Sequence, residues 1–201
     1  MSDRVAGGRD TIYVTTGDNY SDPTTPLSDA VVALRMSNGE ILWSKQLTAG
    51  DAYIALSDVR FKVSLVAGGN DRIYELDPTK GGGMFAFTAD NGERLWHTAA
   101  PGCGDRRPCS PAQSAAVTGI PGAVFSGSLD GHLRAYSTAN GKILWDYDTM
   151  REFETVNGLP GHGGALDVGG AIVAGGMVFA TSGSAQRNGL PGNVLLAFAA
   201  E

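Results

Sequence analysis

Short runs of alternating apolar and polar residues recur along most of the chain, and glycine, asparagine and aspartate stand between them. Alternation with a period of two is typical of β-strands that bury one face. Four successive runs predict one up-and-down sheet, with strands at 113–119, 122–128, 132–137 and 142–147. Shorter sets predict two further sheets with one strand fewer, at 11–17, 31–36 and 41–47 and in AIVAG, MVFATSG and NVLLAFA.

One segment recurs: ALRMSNGEILW ends at Trp43, AFTADNGERLW at Trp96 and AYSTANGKILW at Trp145. The copies are about 50 residues apart, a period typical of propeller blades. Each copy places Asn-Gly between two apolar runs, which favours a hairpin because both residues tolerate positive φ. We interpret the tryptophans as packing between blades while their ring N–H groups bond to the backbone. The sequence therefore predicts an all-β fold, a β-propeller of about four blades in a partial or shortened ring.

We expect residues 1–201 to form a single partial β-propeller domain. The first predicted sheet lacks an innermost strand and the last lacks an outermost strand, so two chains could complete each other as a homodimer. A small closed ring and a fragment of a larger protein are the alternatives. The arrangement of residues 50–83 is left open, because no Trp motif closes that stretch. The blade-like units are predicted at about 11–48, 53–98, 113–148 and 170–199.

Composition agrees with many short strands joined by tight turns, since 29 of the 201 residues are glycine and only 18% are charged. The net charge of -6 provides no basic stripe, so nucleic acid and anionic membrane surfaces are not expected as partners. No apolar run approaches the ~20 residues of a membrane span. The first residues, MSDRVAGGRD, lack the pattern of a signal peptide.

The only two cysteines, Cys103 and Cys109, lie in a loop bounded by glycine and proline. Their spacing suits a small disulfide ring, which would place the chain in an oxidising compartment. The alternative is a pair of free or metal-binding thiols. Metal binding would need further His or Cys ligands, and the sequence has none nearby.

The three Trp segments resemble the tryptophan-docking motif of quinoprotein alcohol dehydrogenases, with Ala135, Gly141 and Trp145 matching in the last copy and Ser137 replacing the consensus aspartate. More specifically, the stretch from CGDRRPC to GHGG and the terminal LPGNVLLAF resemble the C-terminal part of the polyvinyl-alcohol dehydrogenase family. The resemblance implies a propeller that binds pyrroloquinoline quinone and a divalent ion, usually calcium. It also implies oxidation of an alcohol substrate in the periplasm, with electrons passed to a cytochrome c.

One departure from the family favours a different function. The aspartate-rich loop expected after QLTAGDAY is missing, because DAY runs directly into IALSDVRF. This loop is expected to carry the catalytic aspartate, so the chain alone could be inactive. The alternative function is a non-catalytic quinoprotein-like propeller scaffold for protein–protein interaction.

The resemblance also implies site residues. GDNYSDP resembles the calcium loop and indicates Asp18 or Asn19 as a metal ligand, with an Asx-rich turn as the alternative. The CGDRRPC ring, with Cys103 and Cys109, would place Arg106 or Arg107 against the carboxylates of the quinone, because guanidinium groups suit them. The alternative there is a solvated loop held by its disulfide.

Two further segments hold candidates. In ETVNGLPGHGG, Asn157 and His162 are candidate cofactor contacts, whereas the glycines around His162 favour a loop that passes close to another backbone. Asp58 is the candidate catalytic base. The implied mechanism is hydride loss from the alcohol carbon to a quinone carbonyl, with calcium polarising that carbonyl and an aspartate removing the hydroxyl proton.

Overall fold

The computed structural model describes residues 10–17, 25–47, 59–63, 72–76, 82–106, 109–167, 169–185 and 189–199, with 59–63 and 72–76 described by their backbone alone. The described residues form strands and turns without a helix, so the predicted all-β class is confirmed. The strands are β1 (Thr11–Thr15), β2 (Ala30–Arg35), β3 (Ile41–Gln46), β4 (Val59–Val63), β5 (Arg72–Leu76), β6 (Gly83–Phe87), β7 (Arg94–Ala99), β8 (Thr118–Ile120), β9 (Ala123–Gly127), β10 (His132–Ser137), β11 (Ile143–Asp148), β12 (Glu152–Glu154), β13 (Pro160–His162), β14 (Ile172–Ala174), β15 (Met177–Ser182) and β16 (Val194–Ala199).

The most complete sheet has the order β11-β10-β9-β8, with antiparallel pairing throughout. It corresponds to the four successive strands predicted from the hydrophobic pattern. Its innermost strand is shorter than predicted, since β8 begins at Thr118 and not at residue 113. Residues 109–113 are buried but lie outside the strand, and the Leu129 N–H of the neighbouring turn donates to the carbonyl of Ala112 (2.9 Å).

Two sheets have three strands, in the orders β1-β2-β3 and β14-β15-β16. The remaining strands of the described ranges form the hairpins β4-β5, β6-β7 and β12-β13. The β12-β13 hairpin was not predicted, because its strands are only three residues long and the second begins with a proline. The division of the chain into four blade-like units stays a prediction.

The Asn-Gly turns form as predicted, with positive φ at Gly39, Gly92 and Gly141 (73°, 67° and 72°). The ring N–H of Trp43 donates to the carbonyl of Ala89 (2.9 Å). Trp145 packs edge-on against Phe198, with ring centroids 5.0 Å apart. These two tryptophans therefore have the packing role that the repeat predicts.

The chain divides into two compact units, one of residues 1–55 with 85–96 and the other of residues 56–84 with 97–201. The core of the second unit lies between its two larger sheets, where burial of apolar side chains is the main stabilising term. No helix in the described ranges has the length and apolar character needed to cross a membrane. The core residues are Phe125, Leu133, Ala135, Leu166, Ala171 and Ala180.

Candidate functional site

One end of the β8–β11 sheet collects the loops that carry unusual residues. Antiparallel strands bring the entry to β8, the β9–β10 turn and the end of β11 to the same end of the sheet. The backbone joins them there, since the Thr149 N–H donates to the carbonyl of Gly131 (2.9 Å). We call this end of the sheet, with its loops, the loop face of the second unit.

The loop that enters β8 contains a disulfide between Cys103 and Cys109, which confirms the predicted ring. The bridge joins a partly exposed residue to a buried one, because Cys109 is 8% exposed and is followed by the buried Ser110. A short covalent ring therefore fixes the surface half of this loop to its buried half.

Arg106 extends from this ring to the opposite side of the loop face. Its Nη1 donates to the carbonyl of Asp130 (2.8 Å), and its Nη2 donates to the carboxylate of Asp148 (2.5 Å). The side chain is 33% exposed, so the contact is only partly shielded from solvent. Hydrogen bonds in which both partners are charged are among the stronger ones in proteins, so this contact holds the loop against the end of β11.

An ion cluster with a buried centre lies beside this contact. The Arg134 side chain is 2% exposed and reaches Asp130 at 2.7 Å and Asp146 at 3.0 Å. The His132 ring Nδ1 lies 2.5 Å from the same Asp146. Burial acts to lower the pKa of Arg134, but its hydrogen bonds and charge interactions with Asp130 and Asp146 outweigh burial and raise the pKa.

Sequence reasoning missed this cluster, although the signal was present. His132 and Arg134 alternate along β10, and Asp146 and Asp148 alternate along β11. The hairpin register places His132 opposite Asp148 and Arg134 opposite Asp146. Opposite charges at paired positions on one face of a hairpin predict a cross-strand ion cluster.

A second buried polar group stands at the entry to β8. The Nε2 of Gln113 donates to the hydroxyl of Tyr136 (2.8 Å) and lies 3.3 Å from the Ser126 hydroxyl. Burial is the main cause that raises the pKa of Tyr136. The Gln113 Oε1 has no hydrogen-bond partner within the described ranges.

A buried pair of hydroxyls ties together the loops further along the chain. The hydroxyls of Thr149 and Ser182 lie 2.7 Å apart, and the Gly164 N–H donates to the Ser182 hydroxyl (2.8 Å). Thr149 also donates to the carbonyl of Gly131 (2.7 Å). These bonds connect the β9–β10 turn, the end of β11, the segment before β14 and the end of β15.

Glycine lets these loops touch backbone to backbone. A Cβ at Gly163 would lie 1.8 Å from the carbonyl oxygen of Thr149, and one at Gly164 would lie 2.2 Å from that of Leu190. The expectation of a close backbone approach around His162 is therefore confirmed. Side chains at these two positions would separate the loops.

A cavity of about 430 Å³ opens between the segment before β14 and the loop that joins β15 to β16. Asp167 lines it and is 7% exposed, together with the buried Ser182 and the more accessible Thr181. The side-chain polar groups that line the cavity are a carboxylate, hydroxyls and an amide. The lining residues are Ala165, Asp167, Thr181, Ser182, Gly183, Ser184, Gly192, Asn193, Val194 and Leu195.

Of the predicted site residues, the described part brings Cys103, Cys109 and Arg106 together in one ring. His162 is exposed, and its backbone N–H donates to Asn193, which lines the cavity (2.8 Å). Asn157 lies in the β12–β13 turn, where its Oδ1 accepts from the Leu159 N–H (3.2 Å). The remaining candidates, Asp18, Asn19, Asp58 and Arg107, lie outside the described residues.

A metal site is not formed by the described residues alone. Within these ranges, no group of three or more His, Cys, Asp and Glu side chains is placed to hold a metal ion. Asp167 with the neighbouring hydroxyl and amide oxygens could supply part of an oxygen-ligand set of the kind calcium takes. A full set would need ligands from elsewhere.

Comparison with known proteins places these features in a family. The PQQ_2 family model, described as outer membrane protein assembly factor BamB, matches residues 1–200. The chain is 35% identical over 199 residues to a polyvinylalcohol dehydrogenase of Pseudomonas sp. and 36% identical over 194 residues to one of Sphingopyxis sp. (strain 113P3). Each match covers 87% of this chain but only 29% of the relative, so the chain spans less than a third of their length.

A solved structure shows the same fold. The crystal structure of BamB from Moraxella catarrhalis matches with a TM-score of 0.51 at 19% sequence identity. The match covers 92% of this chain and 49% of the BamB chain. At this identity the similarity concerns the fold alone, and it agrees with the predicted partial propeller.

Proposed function

The chain belongs to the PQQ-dependent dehydrogenase family, and from this premise we propose that it forms part of the propeller of a PQQ-dependent alcohol dehydrogenase. The relatives named polyvinylalcohol dehydrogenase supply the reaction class. The observation that carries the proposal is the cavity beside Asp167, because it places a buried carboxylate among hydroxyl and amide groups. Such a lining suits a substrate that presents a hydroxyl group.

The donor set allows a test of fit for the cofactor. Carboxylate, hydroxyl and amide oxygens around Asp167 suit a calcium ion or an alcohol. The carboxylates of the quinone need cations, and the described residues offer Arg106, whose side chain is one-third exposed beside Asp148. The described residues thus fit part of the group, as expected for a chain that spans 29% of its relatives.

The mechanism assigns roles to this chain's own residues. Asp167 would accept a hydrogen bond from the alcohol hydroxyl and then its proton, because a buried carboxylate in a cavity can act as a general base. The backbones packed at Gly163 and Gly164 would hold the cavity wall rigid. When bound, the quinone would supply a two-electron acceptor for the alcohol, and calcium would supply Lewis acidity.

The test is a titration of the purified chain with pyrroloquinoline quinone at saturating calcium, followed by the quinone's absorbance and by calorimetry. We expect a saturable spectral shift that is lost with a calcium chelator. Asp167→Asn should weaken dye-coupled oxidation of an alcohol by about 10²–10⁴-fold, the usual contribution of a general base. Glu93→Gln, an exposed change in the first unit, is the control.

A folded chain that shows no shift at saturating quinone and calcium would contradict the proposal. That result would favour the second candidate, a non-catalytic propeller scaffold, for which the fold match to BamB is the supporting observation. A cooperative melt of the same sample separates loss of binding from loss of folding.

Several finer expectations belong to the same proposal. The disulfide favours the periplasm or another oxidising compartment. Asp18 and Asn19 are proposed as calcium ligands, and Arg106, Arg107, Asn157 and His162 as cofactor contacts. A cytochrome c acceptor and a homodimer also stay proposals; light scattering that gives the mass of one chain would contradict the dimer.

A further inference from the structure

The disulfide ring joins two halves of one loop that differ in burial. Cys103 is partly exposed, whereas Cys109 and the next four residues are buried and lead into β8. The ring closes only a short segment, so it removes little entropy from the unfolded chain compared with a long-range bridge. Its main effect is therefore on the local conformation around Cys103, Arg106 and Cys109.

That conformation presents Arg106. The Arg106 N–H donates to the carbonyl of Cys103 (3.2 Å), which makes a turn inside the ring. From this turn the guanidinium reaches the Asp130 carbonyl at 2.8 Å, Asp148 at 2.5 Å and the sulfur of Met150 at 3.4 Å. Holding a long flexible side chain in one geometry costs entropy, and a rigid ring lowers that cost.

The contact reaches the ion cluster and the hydroxyl pair. The Oδ1 of Asp148 accepts from the Met150 N–H (2.9 Å). The Oδ2, which accepts from Arg106, lies 3.9 Å from the His132 ring nitrogen Nε2. Met150 follows Thr149, whose hydroxyl bonds to Gly131 and lies beside Ser182. Release of Arg106 would therefore loosen the end of β11, from which the loop toward the cavity starts.

We propose that the Cys103–Cys109 ring is a redox-operated latch, in which the disulfide holds Arg106 on Asp148 and its reduction releases the loop face. A dithiol reductant supplies the two electrons and two protons. Its thiolate attacks one sulfur, the Cys103–Cys109 bond breaks, and the second thiolate closes the reductant's own disulfide, leaving two cysteine thiols. The latch depends on Arg106 as a positioning residue and does not depend on cofactor binding.

The test compares the full chain and its Arg106→Gln variant, each with its disulfide intact and each after reduction by dithiothreitol. Hydrogen exchange of residues 100–112 and of the Met150 N–H is the readout, because local opening sets these rates. We expect exchange at Met150 to rise about tenfold on reduction and by a similar factor in Arg106→Gln. Reduction of Arg106→Gln should add little at Met150.

Three controls make the test specific. Arg151→Gln removes a nearby guanidinium that contacts Tyr147 and not Asp148, so it should leave the exchange at Met150 unchanged. Arg106→Lys should restore part of the protection, because it keeps the charge but loses the bidentate geometry. Cys103→Ser with Cys109→Ser should match the reduced protein, and reduction covers the case in which that variant does not fold.

Independent effects would overturn the latch. If reduction speeds exchange at Met150 equally in the original chain and in Arg106→Gln, the ring does not act through Arg106. No change at Met150 on reduction would also contradict it.

Discussion

The first and third copies of the Trp segment have the same structure at one end and different chemistry at the other. In both hairpins an alanine pairs with the tryptophan, as Ala33 with Trp43 and Ala135 with Trp145, and the register shifts immediately afterwards. Both turns use an asparagine Oδ1 to accept the N–H two residues later, at 3.0 Å in each. The repeated residues therefore specify a turn and a tryptophan position.

The opposite ends of the same hairpins differ. Ala30 pairs with Gln46 and Val32 with Ser44 in the first copy. The matching pairs in the third copy are His132 with Asp148 and Arg134 with Asp146, which form the ion cluster at the loop face. The comparison teaches that the repeat fixes the scaffold, while the ends that face the loops are free to change their chemistry.

The largest expected loss of stability comes from replacing one residue of the third copy by its counterpart in the first. Arg134→Val copies Val32 and leaves Asp130 buried beside an uncharged side chain, at 4% side-chain exposure. Removing one partner of a buried ion pair typically costs about 3–5 kcal/mol. We expect the free energy of unfolding, measured by urea denaturation, to fall by that amount.

Completing the transplant should recover much of the loss. Ser28 and Asp130 both stand two residues before the central strand, so Arg134→Val, Asp130→Ser and Asp146→Ser together copy the first repeat at Arg134 and its two carboxylate partners. Replacing every partner avoids the uncompensated buried charge that makes the loss of one partner costly. A triple variant as unstable as Arg134→Val alone would show that the two hairpin ends are not interchangeable.

The contrast between the two ends also explains what the sequence predicted. The turns and the strands β2, β3, β10 and β11 follow from local patterns, namely alternation and Asn-Gly, and these were predicted. The ion cluster required the register of β10 against β11, which the bulge at Ala135 shifts by one residue. Sequence alternation gives the face of each residue but not its partner.

The cavity beside Asp167 was harder to predict because loops distant in sequence form it. Residues 163–167 meet residues 190–193 through backbone contacts at Gly163 and Gly164. Nothing in the local sequence gives the partner of such a contact. Glycine-rich stretches indicated a close approach, and only the fold shows that Leu190 and Thr149 are the neighbours.

A smaller effect should separate two turns that the repeat makes equivalent. Gly39 and Gly92 both have positive φ, so alanine at either should cost about 1–2 kcal/mol of backbone strain. A Cβ at Gly39 meets nothing within 4 Å, whereas one at Gly92 would lie 2.6 Å from the Trp43 ring. We expect Gly92→Ala to cost about 1–3 kcal/mol more than Gly39→Ala in urea denaturation. Equal losses would mean that Trp43 does not rest on Gly92.

A difference of about 1 kcal/mol should distinguish the tryptophans of the first and third copies. Trp43→Phe removes the ring N–H that bonds to the Ala89 carbonyl (2.9 Å), although Tyr13 still donates to that carbonyl (3.1 Å). Trp145→Phe keeps an aromatic ring against Phe198 and Tyr147. Thermal denaturation of both variants measures the difference. A larger loss of stability for Trp145→Phe would contradict a stabilising role of the hydrogen bond from the Trp43 ring.

The smallest effect should be visible only in acid, at the position where Gln46 of the first copy corresponds to Asp148 of the third. Burial acts to raise the pKa of Asp148, but the hydrogen bonds from Arg106 and from the Met150 N–H, with the charges of Arg106 and His132, outweigh it and lower the pKa. A lowered pKa in the folded state stabilises the fold above the unfolded value of about 3.9.

That stabilisation is lost as the pH falls through the folded pKa of Asp148. Asp148→Gln, which copies Gln46, and Arg106→Gln should both flatten the pH dependence of the unfolding free energy below about pH 4. Because Asp148 is 39% exposed, solvent screens the interaction and the change should be modest. Urea denaturation in steps from pH 6 downward measures it, and superimposable acid curves for Arg106→Gln and the original chain would show that Arg106 does not stabilise the Asp148 carboxylate.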